Sequence, residues 1–304
     1  MATRTNGELR TAGSEKRREA LVGYAFVIVP MAIFLTFFIF PMVYALYISY
    51  FDWGIRGPIE TVGLENYRDL IADEIFWKAI RNTLFYTAGV VPAQMALGLF
   101  MAVIVNQRIR ARTFFRAAFY FPSIASSAAI TAIAIYILAS DGLLNTILGW
   151  VGIESTKAWF GTSSTALPSI MGLNAWTTSG TMMLFYLAAL QAIPTDVYEA
   201  AAIDGASRWR TFWRITFPLL KPGHYFVAVV SVIGALKVFD QAFIVSSGSG
   251  GPNYSTLTAV LYLYRKAIRD VDFGYAAAMG VALFVLIFSI TLIQRRLFGK
   301  AEVA

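Results

Sequence analysis

Six apolar runs, each near the length that a bilayer demands, decide what this chain can become. They fall at about 21–50, 83–105, 117–139, 167–190, 223–246 and 273–294. A helix needs roughly 20 consecutive apolar residues to cross a hydrocarbon core. Charged residues make up only 14% of the chain, against about 25% in a soluble domain. The expected fold is therefore all-α and polytopic, with six transmembrane helices. A single transmembrane domain covers 21–296, between tails at 1–20 and 297–304. The first run is about twice the apolar stretch of a secretory signal and lacks a small-x-small cleavage site after it. It is expected to be retained.

The connections report sidedness. The N-terminal tail, the loops after runs two and four, and the C-terminal tail hold 16 Lys/Arg and 7 acids. The other three loops hold 8 Lys/Arg and 10 acids. The loop "NQRIRARTFFR" alone carries four arginines and no acid. Positive charge stays on the cytoplasmic side, so both termini are expected there. Proline recurs inside the runs, at Pro30, Pro41, Pro92, Pro122 and Pro168, which predicts bent helices packed in a bundle.

The net charge is +7. In a soluble chain that would suggest nucleic acid; here it is the excess that orients a membrane protein, and no nucleic-acid partner is expected. There is no cysteine, hence no disulfide and no thiolate chemistry. His224 is the only histidine, so neither a histidine-based catalytic pair nor a histidine metal cluster exists. No phosphate-binding G-x-x-x-x-G-K-[ST] loop is present. An intramembrane enzyme would need a nucleophile–base pair or a metal cluster; with no cysteine, one histidine and Asp240 the only carboxylate well inside a run, an enzyme is not expected.

One hydrophilic segment stands out between two apolar runs: "PTDVYEAAAIDGASRWRTFWRITFPLLKPG", with the loop at 195–222. Thr195 or Asp196 is expected to cap a first helix, Gly205 to supply a turn, and Pro218 and Pro222 to end a second helix. The second stretch sorts Trp209, Phe212, Trp213 and Ile215 from Arg208, Arg210 and Arg214. An amphipathic helix resting on lipid headgroups explains the tryptophans and arginines. It does not explain the small first helix or Glu199 and Asp204, which look like a surface for a basic partner.

Two ionisable residues lie inside a run: Lys237 and Asp240, with Gln241 beside them. A spacing of three places both charges on one helix face. They either neutralise each other or form a site, since ionisable residues at membrane depth mark function. Asn174, Thr177, Thr178 and Thr181 share a face of the fourth run, with Trp176 as a flat apolar platform. Such a set suits a hydroxyl-rich ligand, or serves as interhelical glue. Gln94 is a weaker candidate; Ser126 and Ser127 read as close-packing residues.

The series Glu199-Ala200-Ala201, Asp204-Gly205-Ala206, then Ile215 and Pro218, resembles the EAA loop of binding-protein-dependent ABC importer permeases. "GLENY", "FFR", "GLLN", "LAALQAIP" and "GGPNYST" fit the same family, and the last resembles the first permease subunit of carbohydrate importers of the maltose-transporter type. "VSSGSGGP" departs from the family, which usually has a threonine shortly before these glycines. The resemblance implies that Glu199, Ala200, Ala201, Asp204, Gly205, Ala206 and Arg208 form a coupling helix and turn docked on a separate ATPase. ATP and Mg would be bound there, not by this chain. It further implies a second homologous permease, two ATPase subunits, an extracytoplasmic solute-binding protein and a sugar-like substrate in a bacterial-type cytoplasmic membrane. Asn174, Trp176, Thr177, Thr178, Thr181, Lys237, Asp240 and Gln241 are the substrate candidates. Tyr67, Trp77, Lys157, Trp159 and Arg265 are expected to be exposed where the binding protein docks. The alternative is a self-sufficient ion-coupled secondary transporter that uses Lys237 and Asp240.

Overall fold

The computed structural model describes residues 6–107 and 110–298. Residues 1–5 of the N-terminal tail, Arg108 and Ile109, and residues 299–304 of the C-terminal tail lie outside the described residues. Helix α1 (Asn6–Phe34) passes through a π-helical turn at Leu35–Ile39 into α2 (Phe40–Ile48). A hairpin of β1 (Phe51–Gly54) and β2 (Gly57–Thr61) follows, then α3 (Glu65–Ala72) and the long α4 (Glu74–Asn106). Next come α5 (Arg112–Ile124), α6 (Ser127–Ile137), α7 (Leu143–Trp150) and α8 (Ala166–Gln191). The loop region holds α9 (Thr195–Ile203), α10 (Arg208–Thr211), a π turn at Phe212–Thr216 and α11 (Phe217–Leu219). The chain ends with α12 (Lys221–Leu236), α13 (Asp240–Ser246), α14 (Ala259–Tyr264) and α15 (Phe273–Phe298).

The architecture is mostly helical, as expected, with one short hairpin that the sequence reading did not include. Its strands pair antiparallel, Phe51 opposite Thr61 and Gly54 opposite Gly57, with a register shift between Asp52 and Trp53. Asn66 holds its base by donating to the Ser49 and Phe51 carbonyls at 2.9 and 3.0 Å.

Four stretches among the described residues are long and apolar enough to cross a membrane: Glu19–Ile48, Glu74–Asn106, Lys221–Ser246 and Phe273–Phe298. The third expected span is not one straight helix: α5 and α6 meet at 91° and together make at most a fifth crossing. The bend lies at Ala125 and Ser126, whose ψ angles of 149° and 126° are extended. The fourth expected span forms the continuous α8, but its polar residues keep it out of the apolar set. It is instead an interior helix, with Ile170, Ser179, Met183 and Tyr186 fully buried or nearly so. A helix screened from lipid by its neighbours does not need a lipid-like surface.

Helix α4 is the axis of the bundle and touches three successive cores. At one end Phe76, Ala79 and Ile80 pack with Leu257, Leu261, Tyr262 and Met279. In the middle Tyr86, Val90 and Val91 meet Leu167, Ile170 and Leu236. At the other end Ala102 and Val105 meet Met183, Tyr186, Leu190 and Leu220. The α4–α8 seam is close because Gly98 has no side chain: a methyl group there would stand 2.6 Å from Met182 Cβ. Gly180 does the same for α5, where a methyl would stand 2.5 Å from the Phe119 carbonyl. Small residues let helices approach in this way where no hydrophobic drive separates helix from lipid.

Gly98→Leu is therefore expected to lower stability by about 1–3 kcal/mol or to prevent accumulation, as overpacking does. Gly23→Leu, where a side chain meets nothing within 4 Å, is expected to melt like the parent. Thermal unfolding in detergent compares the two; equal melting temperatures would remove the seam from the argument.

Candidate functional site

The chain breaks its helix where the charges lie. Lys237 is the C-terminal cap of α12, with φ −103° and ψ 17°, and Phe239 at φ −137°, ψ −60° precedes α13. The expected shared helical face for Lys237 and Asp240 is thus corrected: the helix does not continue between them. Each charge sits instead at a complementary helix end, the ammonium after the C-terminus of α12 and the carboxylate in the first turn of α13. Such placements stabilise by roughly 0.3–1 kcal/mol each. The backbone freed by the break does not go unpaired. Thr258 Oγ1 donates to the Val238 carbonyl at 2.9 Å, as irregular backbone at membrane depth requires.

Lys237 and Asp240 do not pair. The ion pair found among the described residues is Lys266–Asp270, at 3.2 Å. Lys237 and Asp240 are both exposed. They line a polar cleft of about 190 Å³ with Asn174, Gly234, Val238, Phe239 and Gln241. The structure thus brings together four of the substrate candidates: Asn174, Lys237, Asp240 and Gln241. Gln241 is aimed by a 2.9 Å hydrogen bond from its Nε2 to Ser127 Oγ, just past the α5–α6 bend.

The other candidates stand outside this cleft. The Thr177 and Thr178 hydroxyls turn back onto the Asn174 carbonyl, at 3.1 and 2.7 Å. Thr178 also reaches the buried Gln94 side chain, which makes that pair a polar bridge between α4 and α8. Trp176 is half exposed, and Thr181 is half-buried one turn further along α8.

The second candidate element is the loop. Pro194, rather than Thr195 or Asp196, holds the capping position of α9; Asp196 falls in the first turn. The helix closes as a Schellman motif: Ala206 N–H donates to the Ala201 carbonyl and Gly205 N–H to Ala202, at 3.0 and 3.1 Å. Gly205 has φ +71°, a conformation that glycine adopts without cost. Glu199, Ala200, Ala202, Asp204 and Arg208 are exposed, Ala206 is half-buried, and Ala201 faces inward. Ile203, unusually for an aliphatic residue, is 86% exposed. Ser207 caps the next segment by accepting from Arg210 N–H at 3.4 Å. Pro218 and Pro222 do not terminate it as expected. Each lies in the first turn of the helix that follows, α11 and α12, where a missing N–H is harmless.

Residues 94–302 match the family described as "Binding-protein-dependent transport system inner membrane component". The chain belongs to that family. It is 36% identical over 279 residues to the probable ABC transporter permease protein YesP of Bacillus subtilis, covering 91% of this chain and 90% of that one. It is 34% identical to the multiple sugar-binding transport system permease protein MsmF of Streptococcus mutans, over 92% and 96% of the two chains. A chain in the crystal structure of a bacterial alginate ABC transporter in complex with an alginate pentasaccharide-bound periplasmic protein shares the fold with a TM-score of 0.79. Identity there is 23%, over 93% of this chain and 95% of that chain. The protein is a multi-pass membrane permease.

At the hairpin end of this permease, sequence reading missed the group that organises the surface. Asp73 caps α4, its Oδ1 accepting from Ile75 and Phe76 N–H at 2.8 and 3.2 Å. Its Oδ2 accepts from the Tyr262 and Tyr275 hydroxyls at 2.6 and 2.7 Å. One carboxylate thereby ties α4, α14 and α15 together. Burial raises its pKa, but the hydrogen bonds from Tyr262, Tyr275, Phe76 and Ile75 outweigh that and hold it below the ordinary value. The only hint in the sequence is an acid immediately before a helical run. Nearby, Tyr67 is hydrogen-bonded to Ser49 Oγ at 2.6 Å, Trp159 Nε1 to Asn145 at 2.9 Å, and Arg265 to the Ser249 carbonyl at 2.9 Å. These three are half-buried, which corrects the expectation that they are exposed; Trp77 and Lys157 are exposed as expected.

A depressed carboxyl contributes stability that is complete above its unfolded value and lost as pH falls through the folded one. The permease is therefore expected to lose stability below about pH 3.8, the ordinary value for this group. Asp73→Asn should be less stable at pH 7 and show a shallower loss between pH 4 and pH 2. Parallel acid-melting curves for the two proteins would refute the clamp.

Proposed function

We propose that this chain is the transmembrane permease subunit of an ATP-driven ABC importer for a sugar or sugar derivative. The observation that carries the reading is the combination, in a chain of this family, of a polar helix break and an exposed helix–Gly–helix loop. The loop is at the opposite end of the bundle from the Asp73 clamp. Relatives named for sugar transport support the substrate class, and Asn174, Gln241 and Asp240 offer the amide and carboxylate partners that hydroxyls require. The chain crosses a bacterial-type cytoplasmic membrane six times with both termini inside, α5–α6 and α8 supplying the crossings that apolarity alone does not identify. It forms half of the translocation pathway beside a second, homologous permease. Exposed Lys237 and Asp240 face that pathway rather than lipid, because a charge at the centre of a lipid-facing helix costs roughly 2.5–3.5 kcal/mol.

In this reading α9 enters a cleft of one of two ATPase subunits, which bind ATP and Mg. Glu199 and Asp204 meet basic groups there, and the Gly205 turn transmits the movement. A solute-binding protein docks on the opposite face, where Trp77 and Lys157 are available.

Glu199→Ala and Gly205→Pro are expected to cut ATP-driven uptake about tenfold in liposomes holding the assembled complex, while the chain still inserts. Asn174→Ala and Asp240→Ala should instead raise the solute concentration needed for half-maximal uptake without altering assembly. Uptake by this chain alone, without ATP, would overturn the proposal in favour of an ion-coupled carrier.

A further inference from the structure

We propose that the segment from Trp209 to Lys221 is a binding surface for anionic phospholipid headgroups, distinct from the docking face of α9. The inference rests on the loop lying at the cytoplasmic face, as proposed above. Its test reads lipid retention, which does not depend on transport or on the ATPase.

The segment combines two properties that neither water nor hydrocarbon accommodates. Trp209 is 73% exposed and Trp213 47%. Arg210 and Arg214 are exposed among them, and no acid occurs between Gly205 and Gly223. Large aromatic faces are poorly placed in water, and guanidinium groups are poorly placed in acyl chains. The headgroup layer takes both: indole rings concentrate there, and arginine pairs with phosphate in a forked geometry.

Ring contacts tie the segment to the start of a candidate crossing. The rings form a ladder, Trp209 to Trp213 at 5.6 Å and Trp213 to Phe217 at 5.2 Å between centroids. It continues from Phe217 to His224 at 4.5 Å. His224 is in the first turns of α12, which opens a stretch apolar enough to cross the membrane. The ladder therefore leads from the start of a candidate membrane crossing back into the cationic segment. The π turn at Phe212–Thr216 lies within this path and leaves the rings in contact.

Charge separates this surface from α9. The α9 face offers Glu199, Asp204 and small residues, whereas the segment beyond Gly205 offers only cations and aromatics. One basic partner cannot fit both. An anionic membrane fits the second and is repelled by the first.

The experiment is native mass spectrometry of the full chain in detergent, titrated with dioleoylphosphatidylglycerol or dioleoylphosphatidylcholine. The parent should retain the anionic lipid in preference to the neutral one. The double variant R210Q/R214Q should lose at least threefold of that retention and keep its weak binding of phosphatidylcholine. Trp209→Ala should lower retention of both lipids. R110Q, in the other basic loop, is the control and should change less. Equal phosphatidylglycerol retention by the parent and R210Q/R214Q would overturn the proposal. So would a double variant that keeps its lipid but no longer co-purifies with the ATPase, which would make the arginines part of the protein dock.

Discussion

A bilayer core offers no water, so every backbone group freed from a helix there must find a partner within the protein. That constraint organises this molecule. The break at Lys237–Phe239 opens the polar cleft, and it persists because Thr258 donates to the buried Val238 carbonyl that the break frees. Thr258 can do so because its own loop is pinned to α4. Asn82 donates to the Tyr254 and Leu257 carbonyls at 2.8 and 2.9 Å, and Thr83 accepts from Ala259 N–H at 2.9 Å. Asp73, one helical stretch earlier, grips Tyr262 and Tyr275. The first three turns of α4 thus carry one acceptor and donor after another, all spent on the segment that holds the break. The cleft exists because a distant helix end underwrites it.

The loop with its Gly205 turn was legible because local chemistry dictates it: a run of small helix formers, then a residue that takes positive φ; the Ser207 cap came only from the structure. The membrane class was legible from run length alone. Asn174, Lys237, Asp240 and Gln241 were also legible as a set, though for an incomplete reason. Their types marked them as costly at membrane depth, but the spacing argument assumed a continuous helix. What brings them together is a break, with each charge drawn to the helix end of opposite sign. The bend at Ala125–Ser126 was hidden because the sequence there is as apolar as its surroundings. Pro122 signals only that some departure is near. The hairpin escaped because its nine strand residues lack the alternation that marks a strand; Asn66 and the packing on α15 hold it. Asp73 looked like any loop acid, since its partners are about 190 and 200 positions away in the chain.

Polarity along α8 illustrates why hydropathy alone misplaces an inner helix. Outer helices must match lipid: Glu19–Ile48 has no buried residue within its apolar window. An inner helix must match its neighbours, and α8 does so with Gln94–Thr178 on one side and Ser123–Thr177 on the other, the latter a 2.5 Å bond from the serine hydroxyl to a backbone carbonyl. These bonds are worth on average about 0.6 kcal/mol each in a membrane. Their larger effect is on register. A hydroxyl that bonds its own helix backbone and a facing amide admits few rotations of α8 about its axis, and so fixes which residues the helix presents near the cleft. Asn174 keeps its side chain for the cleft while its carbonyl takes both threonine hydroxyls.

For a surface loop to move a bundle, it must be rigid and it must be fastened to the helices that move. Residues 195–221 meet both conditions by different means. Rigidity comes from the Schellman closure and the Ser207 cap, which leave little freedom at Gly205. Fastening comes from side chains. Thr216 lies 3.4 Å from the Tyr198 hydroxyl and joins the two halves of the loop. Phe217 packs against His224 at a tilt of 46°, and the His224 Nδ1 is 3.0 Å from the Tyr186 hydroxyl deep in α8. Leu220, 1% exposed, inserts between the ends of α4 and α8. In the proposed reading, a force on α9 would pass through these contacts into α8 and α12, the two helices whose residues line the cleft.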